Sequence, residues 1–336
     1  MPLVNQFDQH REQAKTRSLL SIVTPAYNEA DNLLLLYERL LGVLGTMDLD
    51  WEWVVVDDHS ADKTFAAIAD IARRDSRIRG VRLARNFGSH TAITCALRYA
   101  RGHCAAVIAA DLQDPPEVIP ALMQKWKEGY QVVWAVRAHR EGESGTKVEL
   151  AGLYYSMMRR IVGLKEIPPT GADCFLIDRR VLDAFTEFNE NNVSILALIT
   201  WMGFRQTAIS YHKQARVHGS SGWSLEKKLK LVLDSITSFT YLPIRLISYL
   251  GSAVALAGFI YAAVVFFNAL TGQPPQGWTS LMIVVLLVGG TQMIMMGVLG
   301  EYLWRALDES RHRPRYWIEA TTESQSTNSE NAVRTE

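Results

Sequence analysis

Val54-Val55-Val56-Asp57-Asp58-His59-Ser60 is an apolar run that ends in a pair of carboxylates. A strand buried on both faces of a parallel sheet reads as a continuous apolar run. Acids at its carboxyl end stand where open α/β sheets bind their ligands. Working outward, Leu19 to Thr24, Trp53 to Val56, Ile78 to Leu83, Ala105 to Ala110 and Val132 to Val136 read as strands. Between them, Ala30 to Leu44, Asp62 to Arg74, Thr91 to Arg101 and Glu117 to Lys127 carry apolar residues at helical spacing. This alternation predicts a doubly wound parallel sheet. No GxGxxG follows any strand, so a dinucleotide-binding dehydrogenase fits poorly.

Two more strand ends carry acids: Ser21-Ile22-Val23-Thr24-Pro25-Ala26-Tyr27-Asn28-Glu29 and Asp111-Leu112-Gln113-Asp114-Pro115-Pro116. The three loops are expected to converge on one crevice. Carboxylates repel a diphosphate, but they can hydrogen-bond a base and ribose, or hold Mg2+ or Mn2+ that binds the diphosphate. A lone Asp-Asp pair after a strand is often a helix cap. Three acidic loops in one sheet point to a nucleotide site instead.

The chain has 336 residues and zero formal net charge, which gives no reason to expect a nucleic-acid partner. Cys95, Cys104 and Cys174 lack metal-ligand spacing and read as reduced core residues. Met1 to Arg17 is polar with no apolar segment, so no cleavable signal is expected and the N-terminal domain should stay cytoplasmic. Residues 138–149 are polar or small and read as a loop, either an active-site loop or a solvated connection. Gly171 to Ile177 reads as a further strand with Asp173 embedded in it.

Leu246 to Leu270 and Thr279 to Gly300 contain no charged residue. Each exceeds the ~20 apolar residues needed to cross ~30 Å of hydrocarbon. Arg245, Arg305, Arg311, Arg313 and Arg315 flank their outer ends, which predicts both ends in the cytoplasm and the short turn outside. Just before the first span, Leu225, Leu229, Val232, Leu233, Ile236 and Phe239 recur at helical spacing among Lys227, Lys228 and Lys230. That pattern suits a helix lying in the headgroup plane. The expected organisation is a polar tail (1–17), a cytoplasmic domain (18–224), an amphipathic helix (225–243) and two transmembrane helices (244–306). A tail without structure (307–336) would follow, its Ser, Thr, Glu and Asn content favouring disorder after Trp317.

Thr24-Pro25-Ala26-Tyr27-Asn28-Glu29, Asp57 to Thr64, Arg85-Asn86-Phe87-Gly88 and Asp111 to Pro116 resemble the polyprenyl-phosphate glycosyltransferases of glycosyltransferase family 2. That group includes dolichol-phosphate mannose synthase and the GtrB-type bactoprenol glucosyltransferases. The resemblance implies a GT-A type α/β domain followed by an interface helix and two membrane helices. It implies inverting transfer of a hexose from a nucleotide sugar (UDP first, GDP or dTDP next) to undecaprenyl phosphate at the bacterial inner membrane, with Mg2+ or Mn2+ as cofactor. Oligomeric state, including a homo-oligomer, is left open.

Carried over by position, Pro25, Tyr27, Glu29, Asp57 and Asp58 would line the nucleotide pocket, and Asp111 and Gln113 would hold the metal. Asp111, Asp173 and Arg216 are the catalytic candidates. Arg137, Arg140, Arg205, Arg216, Lys227 and Lys228 are the candidate cations for acceptor phosphate and diphosphate. Ala109 stands where the family often has the first acid of Asp-x-Asp, so metal binding rests on one carboxylate and one amide. Cys174-Phe175 replaces a familial Phe-Arg after Asp173, which leaves a structural role for that acid open. A processive polysaccharide synthase fits less well, because no Gln-x-x-Arg-Trp is present. A non-catalytic nucleotide-sugar-binding subunit would not need Asp111, Gln113 and the Arg216 segment.

Overall fold

The computed structural model describes residues 17–138, 145–160, 162–188, 194–214, 239–271 and 277–323. Strands β1 (Leu19–Ala26), β2 (Asp50–Asp57), β3 (Ile78–Leu83) and β4 (Cys104–Val107) are mutually parallel, with β4 returning to the far side of β1. Helices α1 (Ala30–Leu44), α2 (Thr64–Arg74) and α3 (Ser89–Tyr99) make the crossovers. The order 3-2-1-4 reverses direction between β1 and β4. The crevice at that switch point is where such sheets take ligands.

The rest of the domain extends the sheet. Beyond β4 come α4 (Ile119–Lys127), β5 (Val132–Arg137), α5 (Gly145–Arg160), β6 (Cys174–Asp178), α6 (Arg179–Glu187), α7 (Ile195–Trp201) and β7 (Gln206–Tyr211). Strand β6 inserts between β4 and β5 and runs antiparallel to both, while β7 lies parallel to β5. Reversal of β6 brings its N-terminal end, with Asp173, to the same edge as the carboxyl ends of β4, β5 and β7. The polar stretch expected as a loop over 138–149 is helical from Gly145 onward, and 139–144 lie outside the described residues.

Both faces of the sheet are covered. Leu33, Leu36, Leu40 and Leu44 line the buried side of α1 at helical spacing. With Ile68, Ile71, Leu122 and Trp53 they form one core layer. Cys95, Leu97, Val181, Leu182 and Phe185 meet Val54, Val56 and Trp134 on the other. All three cysteines are free and buried, and burial pushes the Cys95 thiol up to about 12.

Two long helices follow, α8 (Leu242–Leu270) and α9 (Trp278–Ser310). Mean hydropathy reaches 2.2 in each, and none of either apolar window is buried. Phe259, Phe267, Leu287 and Met293 stand in the open, as the helices of a buried core would not leave them. Both are long and apolar enough to cross a membrane. Of the interface helix expected over 225–243, residues up to 238 lie outside the described ones.

The tail corrects an expectation. Instead of losing structure after Trp317, the chain forms β8 (Ile318–Thr321) and adds it antiparallel to the free edge of β3. The sheet thus reads β7-β5-β6-β4-β1-β2-β3-β8. Composition alone missed this because a polar edge strand owes its order to the ladder it joins rather than to apolar content.

Candidate active site

The acidic loops after β1 and β2 are stitched to one another at the carboxyl edge of the sheet. Asn28 N–H donates to Ser60 Oγ at 2.9 Å, and Ala61 N–H donates to Asn28 Oδ1 at 3.0 Å. Glu29 N–H donates to Thr64 Oγ1 at 2.9 Å, while the Glu29 carboxylate accepts from Asn32. Three non-glycine residues in these loops take left-handed backbone: Asn28 (φ 56°), His59 (φ 59°) and Leu112 (φ 59°). Asn and His tolerate this region, whereas for leucine it is unusual. Such conformations persist where surrounding contacts over-determine them, as they commonly do at functional sites.

Asp57 is fully buried. Its Oδ1 accepts from the N–H and hydroxyl of Ser60, and Arg82 Nη1 donates to Oδ2 at 3.3 Å. Asp58 accepts from Phe87 N–H at 2.7 Å and Gly88 N–H at 2.8 Å, so it binds the Arg85-Asn86-Phe87-Gly88 loop to the crevice. Gly88 makes this turn with φ +93°, a region that favours glycine. Burial raises the Asp58 pKa, and the two N–H donors only partly oppose it. Pro25 closes the edge of β1 opposite Val56, and Tyr27 stands half-exposed at the mouth.

Across the crevice lies a second group. Asp111 Oδ1 accepts from Gln113 N–H at 3.1 Å, and Gln214 N–H donates to Gln113 O at 2.9 Å, tying the β4 loop to the end of β7. Asp114 is buried and accepts from the Tyr211 hydroxyl; its Oδ2 has no hydrogen-bond partner among the described residues. Burial, aided by the neighbouring Asp173 charge, pushes its pKa up to about 6. Asp173 pairs with both Arg137 and Lys213, the latter at 2.9 Å. Burial works against its ionisation, but the two cations outweigh that and hold its pKa below the usual carboxylate value.

Arg205 does not join this group. It precedes β7, stacks on Tyr130 at 4.4 Å, and its carbonyl accepts from Gln131 N–H. The parallel register puts it at the opposite edge of the sheet, roughly 20 Å of strand away from Tyr211. Its place in the acceptor set is therefore corrected. Arg140, Arg216, Lys227 and Lys228 lie outside the described residues.

Arg82, Tyr211 and Lys213 contact the site residues named above, and the sequence reading passed over all three. Lys213 follows a strand by two residues and carried no other signal. Arg82 occupies an ordinary strand position, so only the register reveals it.

Among the described residues, no three His, Cys, Asp or Glu side chains gather closely enough to hold a metal on their own. The donor set offered by Asp111 and Gln113 is one carboxylate and one amide. It fits a hard divalent cation that keeps phosphate oxygens and water as its remaining ligands, and does not fit a closed protein cage.

The glycosyl transferase family 2 model matches residues 21–186, and the GtrB C-terminal hairpin model matches residues 242–305. An uncharacterized glycosyltransferase of Synechocystis sp. is 40% identical over 89% of this chain and 94% of its own length. A bactoprenol glucosyl transferase of Shigella phage SfV is 33% identical over 89% of this chain and 97% of its own. A prophage bactoprenol glucosyl transferase homolog of Escherichia coli is 32% identical over 89% of this chain and 98% of its own. The acidic loops, the doubly wound sheet and the apolar hairpin place the chain in glycosyl transferase family 2, as a glycosyltransferase of the GtrB-hairpin kind.

Proposed function

We propose that this enzyme transfers a hexose, with inversion, from a nucleotide sugar to a polyprenyl phosphate at the cytoplasmic face of a bacterial inner membrane. The observation that carries the reading is the joining of an acidic α/β crevice to two membrane-length helices in one chain. A water-soluble donor and a lipid-borne acceptor would need such an arrangement. The names of the bactoprenol glucosyl transferases among its relatives support the same acceptor class.

In this reading Pro25, Tyr27, Glu29, Asp57 and Asp58 form the donor pocket, with the two aspartates acting largely by fixing loops whose backbone meets the nucleotide. Asp111 and Gln113 would hold Mg2+ or Mn2+, which offsets charge on the departing diphosphate. The acceptor phosphate is mostly dianionic near pH 7, with a second pKa of roughly 6 by analogy with phosphoserine. It needs no strong general base. Its oxygen attacks the anomeric carbon in line, the new C–O bond forms, and the bond to the nucleoside diphosphate breaks. Arg137 and Lys213, held by Asp173, would orient anionic oxygens there, with Arg216 as a further candidate.

The test uses the full chain in nanodiscs with undecaprenyl phosphate and labelled UDP-, GDP- and dTDP-hexoses. Label in the lipid extract is the expected result. Label confined to soluble glycan or protein would refute the acceptor assignment. Protease accessibility of the segment between α8 and α9 in sealed vesicles checks the face.

A further inference from the structure

We propose that Glu319 is a positioning residue for the donor site, acting from the strand that follows the second membrane-length helix. The inference rests on reading the Asp57–Ser60 turn as nucleotide-binding.

The strand is fixed at both ends. Tyr316 packs against the core layer containing Cys95, and Ala84 N–H donates to Trp317 O at 2.9 Å. At the other end Gly80 N–H donates to Thr322 Oγ1 at 3.0 Å. Antiparallel register then sets Ala320 opposite Arg82, which brings the neighbouring Glu319 within reach of that side chain. Arg82 Nε donates to Glu319 at 2.9 Å, and His59 Nδ1 lies 3.2 Å from the same oxygen.

Arg82 spends its other nitrogens on the turn. Nη1 reaches Asp57 Oδ2 at 3.3 Å, and Nη2 donates to Ser60 O at 3.2 Å. His59 holds its left-handed backbone while its ring is anchored to Leu83 O at 3.1 Å and to Glu319. A single carboxylate on the tail thus fixes one side chain of the donor turn, His59, and the β3 side chain that holds the turn, Arg82.

Covering a sheet edge is the ordinary use of such a strand. The Glu319 side chain is 47% exposed, so its ion pair with Arg82 adds little to stability. What the pair does fix is the direction of a guanidinium whose remaining donors set the turn.

Glu319→Gln and Thr322→Val, made in the full chain in nanodiscs, separate the two roles. The readouts are affinity for UDP, GDP and dTDP, donor KM against kcat, amide exchange at Ser60, and the thermal midpoint. Glu319→Gln should weaken whichever diphosphate the native protein binds by about fivefold. Donor KM should rise by the same factor, Ser60 exchange should quicken, and the lipid KM should hold. Thr322→Val should lower the midpoint and leave nucleotide affinity unchanged. Native affinity and native Ser60 exchange in Glu319→Gln would overturn the inference, as would equal weakening by Thr322→Val. Native nucleotide affinity in Asp57→Asn would instead overturn the donor-site reading, and this inference with it.

Discussion

Lys213 Nζ lies 2.9 Å from the Asp173 carboxylate, at the meeting point of the carboxyl end of β7 and the reversed start of β6. Arg137 donates to the same carboxylate. One acid therefore holds two cations in register beside Asp111 and Asp114. Charge-assisted contacts of this kind are worth roughly 1.5–3 kcal/mol. If the two cations receive the acceptor phosphate, Lys213→Ala should slow transfer by about tenfold or more at limiting lipid, with nucleotide affinity nearly native. Rates against lipid concentration, alongside nucleotide titration, check this. Equal loss of nucleotide binding would move Lys213 to the donor diphosphate.

Asp111→Asn should abolish transfer and leave the thermal midpoint near native. It removes the one carboxylate proposed to hold the cation, while the Gln113 N–H contact can pass to the amide oxygen. Excess EDTA should have the same effect on the native enzyme, reversed by Mg2+ or Mn2+. Full activity in EDTA would remove the metal from the mechanism.

Asp114 predicts a pH dependence of stability. Its folded pKa of about 6 lies above the unfolded value near 3.8, so between these values the folded state holds a proton that the unfolded state has lost. Its contribution is therefore complete below about pH 4 and declines as pH rises toward 6, by an amount on the order of 3 kcal/mol. The groups that set this are the burial itself, Asp173, Lys213, Tyr211 and Asp111. Asp114→Asn should flatten the decline. Denaturant midpoints at several pH values, taken in EDTA, measure it; an unchanged slope would contradict the assignment.

Gly80→Ala probes the tail's seat on the sheet. A Cβ on Gly80 would overlap Ile68 Cγ2 and come within 2.8 Å of Thr322 Cγ2. Overpacking of this kind costs roughly 1–3 kcal/mol. Thermal unfolding should show the loss, and proteolysis beyond Ser310 should become faster. A native midpoint with native proteolysis would mean that the Ile68 and Thr322 side chains give way without disturbing the seat of β8 on β3.

The sequence by itself determined the elements whose order is local. Apolar runs with acids at their ends specified β1, β2 and the crevice, because a strand covered on both faces must be continuously apolar. Two uncharged stretches specified the membrane-length helices, since hydrocarbon accepts few charges. Tertiary structure alone decided the rest. Reversal of β6 brings Asp173 to Arg137 and Lys213, and parallel pairing of β7 with β5 sends Arg205 to the opposite edge. The tail's order comes from a ladder with β3, more than 230 residues earlier, as the 237-residue separation of Arg82 and Glu319 records. Strand direction and pairing depend on which edges remain free once the local elements have formed, and that information is not carried by any short stretch of chain.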